Sequence, residues 1–110
     1  MERWELRFTP RAEEKLAWLE EHGAGAMRAF LQQQLAELPT DTKRKRIRDL
    51  GDGLWEIAYR TWRVQYELSE STRRIYVSDL GSGYTAADLA NEDDPHEDKA
   101  LHREFGEHFR

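Results

Sequence analysis

Cysteine is absent from the chain, so neither a disulfide scaffold, a thiolate zinc site nor a cysteine nucleophile is available to it. Long apolar runs are absent too. No stretch is long enough to span a bilayer, and Met1-Glu2-Arg3-Trp4-Glu5 has nothing of the apolar segment of a signal peptide. A reducing cytoplasm is the expected setting. There is no internal repeat, and the only low-complexity tract is the acidic Glu92-Asp93-Asp94. What the chain does have is 110 residues, 38% of them hydrophobic, with four tryptophans, four tyrosines and four phenylalanines. That suffices for one domain with a modest core, and it argues against wholesale disorder despite 35% charged residues.

The net charge of −5 is unevenly spread. Residues 1–80 hold 14 basic and 14 acidic side chains, whereas residues 81–110 hold 3 basic and 8 acidic ones. Within the neutral part, Lys43-Arg44-Lys45-Arg46-Ile47-Arg48 packs five cations into six positions. A basic knot of this kind suits a polyanion, and an acidic tail can shield it.

Two periods divide the sequence. Trp4, Leu6 and Phe8 alternate with Glu5 and Arg7, which predicts a half-buried strand. Thr9-Pro10 then offers a capping hydroxyl and a proline at a first helical position, followed by Ala12, Leu16 and Leu19 at helical spacing up to His22-Gly23. A second helix is expected over residues 24–38, with Met27, Leu31, Leu35 and Leu38 as its stripe and Pro39 as its stop. Beyond Gly51-Asp52-Gly53 the period becomes two. Leu54, Ile57 and Tyr59, then Trp62, Val64, Tyr66 and Leu68, then Ile75 and Val77 predict a three-stranded meander. Gly81-Ser82-Gly83 ends it. An irregular acidic connection follows, with a short helical turn at residues 86–89. Pro95 is expected to open a last helix carrying Ala100, Leu101, Phe105 and Phe109 on one side. The fold class is therefore α+β: an antiparallel sheet (strand, helical hairpin, meander, C-terminal helix) with a helical layer on one face. Residues 1–110 form a single domain in which 84–110 are an acidic loop and the C-terminal helix.

The succession Phe8-Thr9-Pro10-Arg11-Ala12, a helical pair, a basic stretch, Gly53-Leu54-Trp55-Glu56-Ile57, Arg60 and Trp62-Arg63-Val64-Gln65-Tyr66 resembles the RelE/ParE superfamily of toxins from toxin–antitoxin systems. The Gly-Leu-Trp-Glu-Ile segment is similar to the phage-derived HigB-like branch. The resemblance implies a RelE-like two-layer fold and a toxin neutralised by a cognate antitoxin. It also implies ribosome-dependent, metal-independent mRNA cleavage by 2′-hydroxyl attack, with no cofactor. Such chemistry needs a proton acceptor, a proton donor and cations on the scissile phosphate. On this resemblance Arg60 and Tyr84 are the candidate catalytic residues, Arg60 as a phosphate-binding arginine. Lys43, Arg44, Lys45, Arg46, Arg48 and Arg63 are the candidate RNA contacts, although an arginine in the Trp-Arg-Val motif is more often structural.

One departure from the family pattern leaves a second reading open. Where the family carries further basic residues after the meander, this chain has Asp79-Leu80-Gly81-Ser82-Gly83-Tyr84 and no cation before Lys99. ParE-like relatives lack the ribonuclease residues and act by binding a protein, DNA gyrase. A third reading has the acidic tail folding over residues 43–48 as a built-in inhibitor. His96, His102 and His108 recur every six residues and so do not share one helix face, which argues against a metal site made by them alone. They read as surface histidines, with one folded back toward Arg60 as an acid or base the alternative. The four tryptophans read as core or sheet anchors.

Overall fold

The protein is represented by a computed structural model that describes residues 3–37, 39–43 and 46–110. Strand β1 (Glu5–Phe8) is followed by helices α1 (Pro10–Glu21) and α2 (Met27–Leu35), then strands β2 (Ile47–Gly51), β3 (Leu54–Tyr59), β4 (Trp62–Ser69) and β5 (Arg74–Ser82), and helices α3 (Ala86–Ala90) and α4 (Lys99–His108). The α+β class expected from the two periods is the one observed. The five strands form one sheet in the order β1-β5-β4-β3-β2. All pairs are antiparallel except β1 with β5, which run parallel because the helical hairpin carries the chain back across the sheet before the meander begins.

Local chemistry explains most boundaries. Thr9 caps α1 by accepting the Ala12 N–H at 3.3 Å, and Pro10 occupies its first turn. Helix α2 is shorter than its apolar stripe suggests: residues 24–26 form a turn rather than its first residues, and Leu38 lies outside the described residues. Ile47–Gly51, expected only as part of the basic stretch, is a fifth strand. It pairs with β3 through a turn at Gly51, Asp52 and Gly53 in which all three residues have positive φ. Helix α4 begins at Lys99, four residues later than Pro95 suggests. Glu97 sits at φ +55°, which interrupts any helix started at Pro95, and the Asp94 side chain accepts from the N–H groups of Asp98 and Lys99.

One core lies on one face of the sheet. Ala12, Leu16 and Leu19 of α1 and Met27, Leu31 and Leu35 of α2 pack with Ile57, Val64, Tyr66, Ile75, Val77 and Leu80 beneath them. Trp62 is buried in this core, and Trp4, Trp18 and Trp55 pack partly buried against it, so all four serve as anchors. Phe105 of α4 closes the core at the end where β4 begins and β5 finishes. Helix α1 is tied to β5 by the buried Lys15, whose Nζ donates to Asp79 Oδ1 at 2.7 Å. Arg28 of α2 clamps α1 by donating to both Glu13 and Glu20. The other face stays open and polar, with Arg63, Gln65 and Glu67 of β4 alternating against the buried Trp62, Val64 and Tyr66.

A β-bulge marks β5. Gln65 pairs with Asp79 and Tyr66 with Val77, so Ser78 is the extra residue there. Tyr66 is fully buried, and its hydroxyl donates to the Pro39 carbonyl at 2.6 Å, which fastens the segment after α2 to the core. Tyr66→Phe leaves that carbonyl unpaired. It is expected to cost about 1–2 kcal/mol, seen as a lower urea midpoint at unchanged slope. An unchanged midpoint would show that the carbonyl finds another donor.

Candidate functional site

The β3–β4 hairpin organises the end of the sheet where the sequence candidates converge. Because Tyr59 pairs with Trp62, only Arg60 and Thr61 remain to make the turn. Arg60 is exposed and adopts φ +53°, a conformation suited to glycine and costly for a long side chain. Arg63 reinforces the turn from behind, donating to the carbonyls of Arg60 at 3.0 Å and Trp62 at 2.9 Å. The Thr61 carbonyl accepts the Gly83 N–H at 2.7 Å, which draws the exit of β5 against the turn. A Cβ on Gly83 would lie 2.7 Å from the Thr61 carbonyl oxygen and 2.8 Å from Arg63 Cζ, so the contact leaves no room for a side chain.

Behind this turn lies a continuous polar network in which the direction of every hydrogen bond follows from counting protons. Thr61 Oγ1 has one proton, and the Asp98 carboxylate can only accept, so the hydroxyl donates to Asp98 Oδ2. Thr61 must then accept from His102 Nε2 at 2.9 Å, which places the imidazole proton on Nε2. His102 Nδ1 is left with a lone pair, and the Ser82 hydroxyl donates to it. Ser82 Oγ in turn accepts the Tyr84 N–H at 3.0 Å, and the Tyr84 hydroxyl donates to Asp98 Oδ1 at 2.8 Å. Two hydroxyls, an imidazole, a carboxylate and a phenol thus join the hairpin, the end of β5 and α4.

His102 is 1% exposed, stacked on Trp62 with ring centroids 3.7 Å apart, and set edge-on to Tyr84. Burial lowers its pKa, against the opposing pull of Asp98, so it is held neutral. Burial by itself would raise the Asp98 carboxyl. The hydrogen bonds from Thr61 and Tyr84, with His102 beside them, outweigh it and hold Asp98 below its usual value. The Tyr84 phenol is pushed up to about 12, first by burial and then by its bond to Asp98. The surface-histidine reading therefore fails for His102. Its six-residue spacing gave no sign that one histidine would turn inward, and the nearest signal in the sequence is the aromatic Trp62 and Tyr84 that contact it. His96 and His108 are exposed, and among the described residues no group of His, Asp and Glu could hold a metal ion.

The sequence candidates fall into three places. Arg60, Arg63 and Tyr84 meet at the hairpin end, with Arg63 spent on carbonyls and the Tyr84 hydroxyl directed at Asp98. Arg46 lies beside them across a half-buried aromatic pair. Its guanidinium is 5.7 Å from the Phe30 ring, Phe30 is 4.8 Å from Tyr59, and Arg60 is 5.9 Å from Tyr59. Lys43 is exposed in the preceding turn, and Arg48 of β2 sits on the open face, 3.8 Å from Glu56. Arg44 and Lys45 lie outside the described residues. The acidic tail does not cover Lys43, Arg46 or Arg48: its contacts run to Thr61, Tyr84, Trp62 and Trp18, because Phe105 and His102 seek the apolar end of β4.

No protein-family model and no curated protein matches the sequence. Solved structures do resemble the fold. The toxin–antitoxin complex RelBE2 from Mycobacterium tuberculosis matches with a TM-score of 0.61 at 18% identity, over 73% of this chain and 98% of the other. The intact RelBE toxin–antitoxin complex of E. coli gives 0.59 at 18% identity, over 74% and 99%. The isolated E. coli RelE toxin gives 0.54 at 16% identity, over 91% and 97%. At these identities the likeness is one of fold, and the RelE-like fold expected from the motifs is the one found.

Two outcomes follow from the network. An unfolded histidine titrates near 6.5 and His102 below that, so the unfolded chain binds more protons as the medium turns acidic. The stability contributed by His102 is complete above pH 6.5 and is lost as pH falls through its lower native value. Urea titrations should show stability falling as pH drops below about 6.5, with His102→Gln less stable at neutral pH but lacking that slope. An equal slope in both proteins would exclude His102 as its source. Separately, Gly83→Ala should lose about 1–3 kcal/mol, since the neighbour it strikes is backbone; a neutral effect would mean that the turn can open without cost.

Proposed function

We propose that the protein is the toxin of a toxin–antitoxin module, of the RelE superfamily and nearest its HigB-like branch, acting in the cytoplasm on mRNA held in the ribosome. The observation that carries this reading is Arg60. It occupies a left-handed position where glycine is the relaxed choice, on the exposed tip of a hairpin, with its guanidinium free of any carboxylate partner among the described residues. A cation held in that way suits a phosphate, whose oxygens accept forked hydrogen bonds from guanidinium. The toxins of similar fold support the same reading.

In this mechanism the 2′-hydroxyl of the RNA, giving up its proton to solvent water, attacks the adjacent phosphate, and a 2′,3′-cyclic phosphate forms as the bond to the 5′-oxygen breaks. Arg60 neutralises the charge that builds on the phosphoryl oxygens, and Arg46, Lys43 and the rest of the basic stretch hold the flanking chain. Tyr84 is the candidate proton donor to the leaving oxygen. Its phenol, pushed up to about 12 by burial and by its bond to Asp98, is protonated at neutral pH and serves once it turns from Asp98. The partners are the translating ribosome and a cognate antitoxin, for which the solved complexes are the precedent.

A second reading is favoured by one specific feature. The two groups best suited to proton transfer, Tyr84 and His102, both direct their polar atoms inward. A ParE-like protein that binds a target such as DNA gyrase needs neither.

The deciding experiment follows mRNA integrity in a bacterial cell-free translation reaction, with a ribosome-free control. Cleavage should occur only with translating ribosomes and fall at least about tenfold in Arg60→Gly and in Tyr84→Phe. Arg60→Gly removes the guanidinium while relaxing the turn, so it should gain about 0.5–1 kcal/mol of stability as it loses activity. Intact mRNA with folded wild-type protein overturns the ribonuclease reading. Cleavage that persists in Tyr84→Phe removes Tyr84 from the chemistry.

A further inference from the structure

We infer that Phe30 and Tyr59, framed by Arg46 and Arg60, form a subsite for an unpaired RNA base, so that the nucleic acid engaged here is single-stranded. The inference rests on the phosphate-binding role of Arg60 and adds to it a base-reading surface supplied by α2 and the end of β3. Three observations carry it.

The first is the arrangement of the side chains. The two rings lie 4.8 Å apart at 54°, and a guanidinium lies beside each, at 5.7 Å from Phe30 and 5.9 Å from Tyr59. The Ala58 N–H donates to the Arg46 carbonyl at 2.8 Å, which fixes Arg46 alongside this part of β3.

The second is the distribution of counter-charges. The protein has more carboxylates than cations, and half of its described arginines are paired with them: Arg3 with Glu37, Arg7 and Arg74 with Glu5, Arg11 with Asp79, Arg28 with Glu13 and Glu20, and Arg48 with Glu56. Among the described residues neither Arg46 nor Arg60 meets a carboxylate, although both are exposed. The two guanidiniums that frame the rings therefore carry charge that no neighbouring carboxylate among the described residues offsets.

The third is the left-handed backbone of Arg60 in a two-residue turn, which sets where its side chain leaves the hairpin beside Tyr59.

Half-buried rings edged by planar cations match an unstacked base with its phosphates. The base covers the rings or a guanidinium plane while the backbone oxygens meet the arginines. A duplex hides its base faces and would engage only the charges.

The test is fluorescence anisotropy with a labelled oligoadenylate of about ten nucleotides, its duplex with oligouridylate, and inorganic polyphosphate, all without ribosomes. Wild type should bind the single strand in preference to the duplex. Tyr59→Leu and Phe30→Leu keep apolar packing and all charges, and should each weaken single-strand binding about fivefold or more while leaving polyphosphate binding unchanged. Arg60→Lys should keep polyphosphate binding and lose part of the single-strand preference. Thermal denaturation checks that each variant is folded. Equal affinity for single strand and duplex, or ring variants that bind as wild type does, overturns the subsite. So does a folded wild type that binds no RNA. Ribosome-dependent cleavage that survives in Tyr59→Leu would leave the toxin reading intact and remove only the base subsite. Single-strand binding that depends on the rings, with mRNA left whole during translation, would keep the subsite and remove the ribonuclease.

Discussion

The burial of Trp62 at the head of β4 is the constraint on which both ends of the chain depend. Its ring occupies the point where the helical layer, the hairpin turn and α4 converge, with His102 stacked on one face and Phe105 edge-on at 5.1 Å. Stacking a neutral imidazole there requires that its two nitrogens be satisfied without water, and the hydroxyls of Thr61 in the β3–β4 turn and Ser82 at the end of β5 do this. Thr61 then has its single proton for Asp98, and Asp98 has its second oxygen for Tyr84. The C-terminal helix is therefore held by an apolar contact whose polar periphery closes on itself.

That arrangement also separates two kinds of residue at one end of the sheet. The groups able to move protons lie inside, where burial and mutual hydrogen bonding hold His102 neutral and the Tyr84 phenol protonated. The cations lie outside, Arg60 on the hairpin tip and Arg46 beside the aromatic pair. A single turn of two residues links them, since Arg60 presents the charge and Thr61 anchors the network. Arg63, from the same hairpin, turns its guanidinium back onto the carbonyls of the turn and so acts on its shape.

Much of the fold was legible in the residues. Period-two alternation marked β1, β3, β4 and β5, because a strand with one face on a core repeats every two residues. Thr9-Pro10 marked the start of α1 through the chemistry of an unfilled helix N-terminus. Edge strand β2 was not legible: only Ile47 of its five residues is buried, so it lacks alternation, and its pairing comes from the glycine-rich turn that follows. The late start of α4 was hidden too, since the left-handed Glu97 that delays it carries no sequence mark. At the site, Arg60 and the basic stretch stood out as charges. The histidine behind the hairpin turn did not, because its role depends on which strand ends face it.

The sequence by itself determined the fold class of the protein: a helical layer over an antiparallel sheet, free of cysteine, with a basic knot at residues 43–48 and its acidic excess in residues 81–110. These properties are set by composition and by short-range periodicity, both written along the chain. Tertiary structure decided which distant residues meet. Thr61 and His102, Ser82 and His102, Arg46 and Arg60 are brought together by strand order and by the bulge in β5. Side-chain chemistry says what each residue can bond to, and only the packing of elements far apart in sequence says what is within reach.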